Sequence, residues 1–553
     1  MTNRYQQPHT GGVIGALWRW FDRSILALGR EFRLSFMPPL MVYVAAGISG
    51  LTNVVGVFYV KERLGLSAEF LAALAFWAML PWALKMPLGH LVDLMWRMKG
   101  LFVYLGASLI AASLLIMIGL LGHTDAMVAI APAGAWYVLA VLLAPIGYVV
   151  QDVVADAMTV EAVPRNDRAG KPFAEAQRKS MHTTMQLLGR VAIIGGSILV
   201  ALANVLLLKG VGQLPEDEKS AAYLFIYQLA LIIPLVSVLG VLLASWLRHR
   251  RLVHFVRQGM TRREAATLID VHSERPPVNW WILGGGLAFA ALSIGIGLSN
   301  IPGAEEIVFI TSMAIVIFLI ARLTRELDAE AAKVLVGTAI IIFAFRAVPT
   351  TGAGSSWWMI DDLGFDQQFL AVLSLISSGL ALFGMIVFRR FMAEHSIAYI
   401  VAALAIAATL LILPDIAMYY GFHHWTSKMT NGVVDARFIA VIDTAIESPL
   451  GQVAMVPMLA WIANSAPDKL KATFFAVMAS FTNLALSASQ LGTKYLNQIY
   501  TVTREVRDPV TQLVTVPADY TELGRLFITA ALIGLILPLL AIIAVKLSPL
   551  RNA

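Results

Sequence analysis

Asp152 and Asp156 stand four residues apart in GYVVQDVVADAMTVEAVPR (Gly147 to Arg165), a stretch otherwise apolar enough for a membrane helix. That spacing puts both carboxylates on one helix face. Two carboxylates so close resist double ionisation, which suits a group that takes up and releases a proton. Asp443 and Glu447 form a second pair with the same spacing. Both pairs are candidates for proton coupling or substrate contact. The competing reading is structural, with Asp152 and Asp156 capping, or pairing with Lys85 or Arg190 to hold helices in register. An ionisable side chain at the centre of a membrane helix costs about 2.5–3.5 kcal/mol, so each needs a reason to be there.

Two arginines complement the acids. Arg190 lies in LLGRVAIIGG and Arg346 in IIFAFRAVPTTGAG, each near the middle of an apolar run. Arginine stays charged and clamps carboxylates with two parallel hydrogen bonds. The pair would suit an anionic substrate; alternatively each pairs with Asp152, Asp156 or Asp443. Pro349, Gly352 and Gly354 follow Arg346 closely and suggest a broken helix lining a cavity. Asn483 and Gln490, seven apart, share one helix face. They are candidates for substrate hydrogen bonds or for joints between helices.

These residues must be positioned by membrane helices. Hydrophobic residues make up 58% of the 553-residue chain and charged ones 14%, against about 25% charged in soluble domains. Apolar runs of roughly twenty residues recur from Phe36 onward and lack the period-two alternation of a barrel. The net charge of +6 belongs to loops of one parity, as the positive-inside rule expects, rather than to a nucleic-acid partner. The chain has no cysteine, which excludes disulfides and thiolate metal sites. No cofactor is implied.

About fourteen spans are expected, near 36–60, 68–91, 100–122, 133–161, 180–207 and 220–247, then 280–299 and 306–323, then 334–358, 367–388, 397–420, 436–463, 471–499 and 522–546. The divisions are an amphipathic cytoplasmic segment (1–34), a six-helix bundle (35–247), a basic cytoplasmic connector (248–279), an extra helix pair with its loop (280–332), a second bundle (333–546) and a cytoplasmic tail (547–553). Lys and Arg loops place both termini in the cytoplasm of a multi-pass protein of the inner membrane. A monomer in the lipid bilayer is expected.

An internal repeat supports two halves. In FYVKERLGLSAEFLAALA and WWMIDDLGFDQQFLAVLS, Leu64, Gly65, Phe70 and Leu71 match Leu363, Gly364, Phe369 and Leu370 at one constant offset. Parallel six-helix repeats are the plan of major facilitator transporters, with substrate between the halves. The expected fold is thus an all-α membrane protein of the major facilitator type, two six-helix bundles plus an inserted pair. At the repeat offset Asp443 and Glu447 fall about two turns early, so they share a helix with the Asp152 equivalent but not its depth.

Four stretches carry a closer resemblance: Gly65 to Asp93, Gln151 to Glu161, Asp361 to Phe391 and Ala472 to Gly492. With these the chain resembles the folate–biopterin transporter family of the major facilitator superfamily, over roughly 36–247 and 334–546. The resemblance implies transport of folates or pterins, and the glutamate tail of a folate would suit Arg190 and Arg346. The superfamily's gating loop after the second helix reads Gly, three residues, then Asp-Arg. Gly89 and Asp93 match it, Leu94 replaces the arginine, and Arg97 and Lys99 stand nearby. Glu161, near the cytoplasmic end of its helix, reads as a solvated gate residue.

The function expected is secondary active transport of an anionic small molecule, a folate or pterin, by alternating access with proton symport. The alternatives are a permease for another substrate, such as muropeptides, or a non-transporting membrane assembly factor. No Walker-type loop, no Gly-x-Gly-Asp protease signature and no His-Glu-x-x-His occurs, so neither an ATP-driven pump nor an enzyme is expected.

Overall fold

The computed structural model describes residues 32–550 apart from 65, 164–172, 270–277, 298, 300, 326–327, 452, 454–457, 459–470 and 508–512. Most of the amphipathic segment expected over 1–34 therefore lies outside the described residues, as do 551–553. Among the described residues, 11 helices are long and apolar enough to cross a membrane. The expected spans near 334–358, 436–463 and 471–499 are not in that set. The first is interrupted, the second is only partly described, and the third is rich in polar side chains. One small antiparallel ribbon, Val506–Arg507 with Val514–Val516, follows the third.

The first half runs α1 (Met37–Gly47), α2 (Asn53–Arg63), α3 (Ala68–Ala83), α4 (Lys85–Leu94), α5 (Lys99–Gly122), α6 (Ala133–Ala162), α7 (Glu175–Leu207), α8 (Glu216–Ala230) and α9 (Ile232–Arg257). Two further helices follow, α10 (Trp280–Gly297) and α11 (Ala304–Thr324). The second half runs α12 (Ala329–Arg346), α13 (Ala353–Asp361), α14 (Gln367–Val387), α15 (Ile397–Leu411), α16 (Leu413–Tyr419), α17 (Ala436–Glu447), α18 (Lys471–Ile499) and α19 (Leu523–Leu547).

The sequence repeat has a structural counterpart in a break. A 3-10 turn at Ile48–Thr52 separates α1 from α2. The offset that carries Leu64 to Leu363 carries this turn onto residues 347–351, where α12 ends and α13 has not begun. Each break is covered by a later helix of its own half. Around the first, Gly47 and Gly196 pack with no room for side chains; a Cβ on Gly47 would lie 2.3 Å from the Ile193 carbonyl oxygen. Around the second, backbone groups freed from the helix find side chains on α18. Ser489 donates to the Val348 carbonyl (2.6 Å), the Thr350 N–H to Thr493 (2.9 Å), and Asn497 to the Thr351 carbonyl (3.3 Å). Non-helical backbone inside a membrane bundle needs such partners.

The halves meet reciprocally. α7 of the first packs on α14 of the second, and α18 of the second packs on α3 of the first. A two-fold relation between halves produces this exchange. At the end opposite the basic loops, Tyr59, Leu120, Leu208, Tyr223 and Ile226 form an apolar cluster that reaches across to Ala371 of α14.

The extra pair lies over the seam between α3–α4 and α18. α10 packs on α4, where the Asn279 N–H donates to His90 Nε2 (2.9 Å). α11 packs on α18 and α3. Glu305 accepts from the Trp77 indole of the first half (3.2 Å) and pairs with Lys494 of the second (3.4 Å); Lys494 also reaches Glu306 (3.2 Å). The outer faces carry exposed Trp280, Leu287, Ile294 and Ile310, which suits lipid.

Candidate functional site

The second membrane crossing of the first half bends because Pro87 has no N–H to donate to the Ala83 carbonyl, four residues earlier. The helix ends at Ala83 and restarts at Lys85. The ammonium of Lys85 is thereby brought against α6. Its Nζ is 2.6 Å from Asp152 and 2.8 Å from Asp156. The Tyr43 hydroxyl, on α1, donates to the other oxygen of Asp156 (2.7 Å). One cation thus bridges two carboxylates whose four-residue spacing aims them the same way, and it offsets the repulsion between them. Asp152 is the more enclosed of the two, with 19% of its side chain exposed against 44% for Asp156.

Arg190 on α7 stands within electrostatic reach of Asp152 and Tyr43. It is exposed, and among the described residues it has no ion-pair partner. Its positive charge balances the remaining negative charge of the Lys85 cluster. A cavity of about 130 Å³ adjoins the cluster, lined by Tyr43, Ser49, Trp82, Tyr148, Gln151 and Asp152 among others.

Arg346 ends α12 at the break. Its Nε donates to the Thr482 carbonyl (3.0 Å) and a terminal nitrogen approaches the Met458 sulfur at 3.8 Å. No carboxylate accepts from it among the described residues. Asn483 joins helices across the halves, donating to the Trp82 carbonyl at 3.2 Å. Gln490 is half-buried on the same helix.

Asp443 and Glu447 share the α17 face that buries Ala436 and Ala440. Asp415 of α16, which the sequence reading did not single out, lies within electrostatic reach of Asp443. One oxygen of Asp443 is buried without a hydrogen-bond partner among the described residues. Lone residues such as Asp415 and Tyr43 stand in apolar runs with no pattern around them; only the interruption of the run marks them.

Of the gate candidates, Glu161 pairs with Lys99 (2.9 Å), whose ammonium sits 4.4 Å from the centre of a Trp96 ring. A Cβ on Gly89 would lie 4.0 Å from Val153 of α6. Asp93 is close enough to His90 to act on it electrostatically. The Arg97 side chain is outside the described residues. At the opposite end the halves are tied directly. Lys61 pairs with Asp361 (2.5 Å), which also accepts from Tyr520 (2.5 Å). Arg504 donates to the Lys61 carbonyl and stacks its guanidinium 5.6 Å from the Trp357 ring centre. Gln498 donates to Glu69 (2.6 Å). Among the described residues Lys61–Asp361 is the only ion pair between the two bundles, and apolar clusters joining Ala371 to the first half and Ala68 to the second add to the contact at this end.

Solved structures share this fold. A POT-family transporter in complex with 5-aminolevulinic acid superposes with a TM-score of 0.58 at 12% identity, over 93% of this chain and 95% of that one. A peptide transporter POT gives 0.57 at 16% identity, over 94% of each chain. The nucleoside transporter NupG gives 0.52 at 12% identity, over 92% of this chain and 99% of its own. These likenesses show a major facilitator type of fold. In sequence, the folate-biopterin transporter of Synechocystis sp. is 23% identical over 467 residues, 84% of this chain and 75% of that protein. The BT1 family model matches residues 46–548. With nearly the whole helical chain inside that match, the protein is a multi-pass membrane transporter and belongs to the BT1 family of folate–biopterin transporters.

Proposed function

We propose that the chain is a proton-coupled secondary transporter of a folate or pterin, working as a monomer in the inner membrane with its basic end and both termini in the cytoplasm. The observation that carries this reading is the Lys85 bridge between Asp152 and Asp156, with exposed Arg190 in reach. A substrate carboxylate arriving at Arg190 and Lys85 displaces Asp156 from the ammonium. The released carboxylate, still held by the Tyr43 hydroxyl, is then free to take up a proton. Binding and protonation are thereby linked through exchange of one ion-pair partner. Arg346, with N–H groups beyond those on Thr482 and Met458, is the second anchor for a tail with two carboxylates. The Asp415, Asp443 and Glu447 group is a second proton-coupling candidate in the other half. Gly89, Asp93, Arg97 and Glu161 gate the basic end. In this reading the Lys61–Asp361 tie closes the end opposite the basic loops while substrate exchanges with the cytoplasm. Alternating access requires that tie to break.

The name of the Synechocystis relative supports the substrate class. Uptake by proteoliposomes of labelled folate, a labelled pterin and a labelled muropeptide tests it. Folate or pterin entering faster than the muropeptide is the expected result. Selective muropeptide uptake, or none of the three, contradicts it.

A further inference from the structure

We propose that the cavity walled by Tyr43, Trp82 and Tyr148 is the subsite for a flat heteroaromatic ring of the substrate, and that Asp152 accepts the ring's N–H donors. This rests on the transport reading above and divides the acidic pair into two roles.

The cavity is mostly apolar and aromatic, and its volume of about 130 Å³ equals the liquid volume of about four waters. That is the scale of one or two fused rings and too small for a whole folate. Three aromatic residues line it, and aromatic side chains are surfaces on which planar rings stack. The polar lining then decides which ring. Gln151 is already used at both ends: it donates to the Val103 carbonyl (3.2 Å) and accepts from Ser237 (3.0 Å). The Tyr148 hydroxyl is engaged with Ser49. Asp152 remains. It touches Lys85 through one oxygen, and an ionised carboxylate has acceptor sites to spare on the other. A ring presenting neighbouring N–H donors, as an aminopyrimidinone does, matches a carboxylate beside aromatic walls. A purely hydrocarbon ring would strip water from Asp152 and return nothing.

The position favours transport. Trp82 lines the cavity, and its carbonyl accepts from Asn483 of the second half. The subsite therefore lies at the seam along which the halves move. Asp156, more exposed and tethered to Tyr43, is left to exchange with the substrate's carboxylate and take the proton.

The test is isothermal titration of the purified full chain with two fragments, pterin (ring only) and p-aminobenzoylglutamate (tail only). Trp82→Ala is expected to weaken pterin about tenfold or more and to leave the tail fragment unchanged. Ala46→Leu, which fills the cavity from a lining position without removing an aromatic wall or a polar partner, is expected to do the same, and Trp82→Phe to bind nearly as the parent does. Pterin binding alike to the parent and to folded Ala46→Leu overturns the subsite. So does binding of the tail fragment but not of pterin to the parent; the transport reading then survives. Binding of neither fragment overturns that reading and the subsite with it.

Discussion

Lys61, near the end of the first half's broken helix, and Asp361, at the end of its counterpart in the second, meet at 2.5 Å with 11% and 23% of their side chains exposed. The two positions differ by one residue from strict repeat equivalence, so the tie joins matching helix ends across the molecule.

Breaking that tie is expected to open this end. Lys61→Ala leaves Asp361 with Tyr520 and, within electrostatic reach, Arg504, so the closed state loses its ion pair but not every partner of the carboxylate. The chain has no cysteine, so paired spin labels on introduced cysteines at the ends of α2 and α13 report the distance directly. A longer-distance population that grows several-fold is expected; an unchanged distribution removes the tie from the gate.

Lys85→Ala is expected to cost more stability than Asp156→Asn. The first strands two carboxylates facing one site, a loss of roughly 3–5 kcal/mol, whereas the second leaves the Lys85–Asp152 pair intact. Thermal melting in detergent compares them. Adding Asp152→Asn and Asp156→Asn to Lys85→Ala should restore part of the melting temperature. Equal melting of all variants would mean that the cluster does not hold the helices.

Arg346→Lys is expected to lower uptake about tenfold in a protein that still folds. Lysine keeps the charge but lacks the fork that serves Thr482 and a substrate carboxylate together. Normal uptake by this variant would remove Arg346 from the substrate path.

Lys494→Ala leaves Glu305 and Glu306 without their cation where the extra pair bridges the seam. A lower melting temperature is expected, recovered in part by Glu305→Gln with Glu306→Gln. No change on Lys494→Ala would show that the pair is held by apolar packing alone.

Much of this was legible in the sequence where a local rule applies. Apolar length marks spans, and the repeat of Leu64 and Gly65 at Leu363 and Gly364 anticipates matching helices. Pro349 and Gly352 anticipate the break after Arg346, and Gly352 does adopt a φ of 71° there. Helical spacing put Asp152 and Asp156 on one face but left Lys85 and Arg190 as alternative partners, because spacing cannot say what faces a helix. The bend that swings Lys85 inward settles the contact in its favour. Tyr43 was invisible for the same reason, and so was the Lys61–Asp361 tie, whose members lie three hundred residues apart in sequence and meet only once both halves are folded.

The most direct test of the central claim is concentrative uptake of the substrate by proteoliposomes under an imposed pH gradient, parent against Asp156→Asn. The parent should accumulate substrate only when the outside is the more acidic, and Asp156→Asn should exchange substrate across the membrane without accumulating it. Accumulation by the parent that ignores the gradient, or gradient-driven accumulation by Asp156→Asn equal to the parent's, would contradict the account.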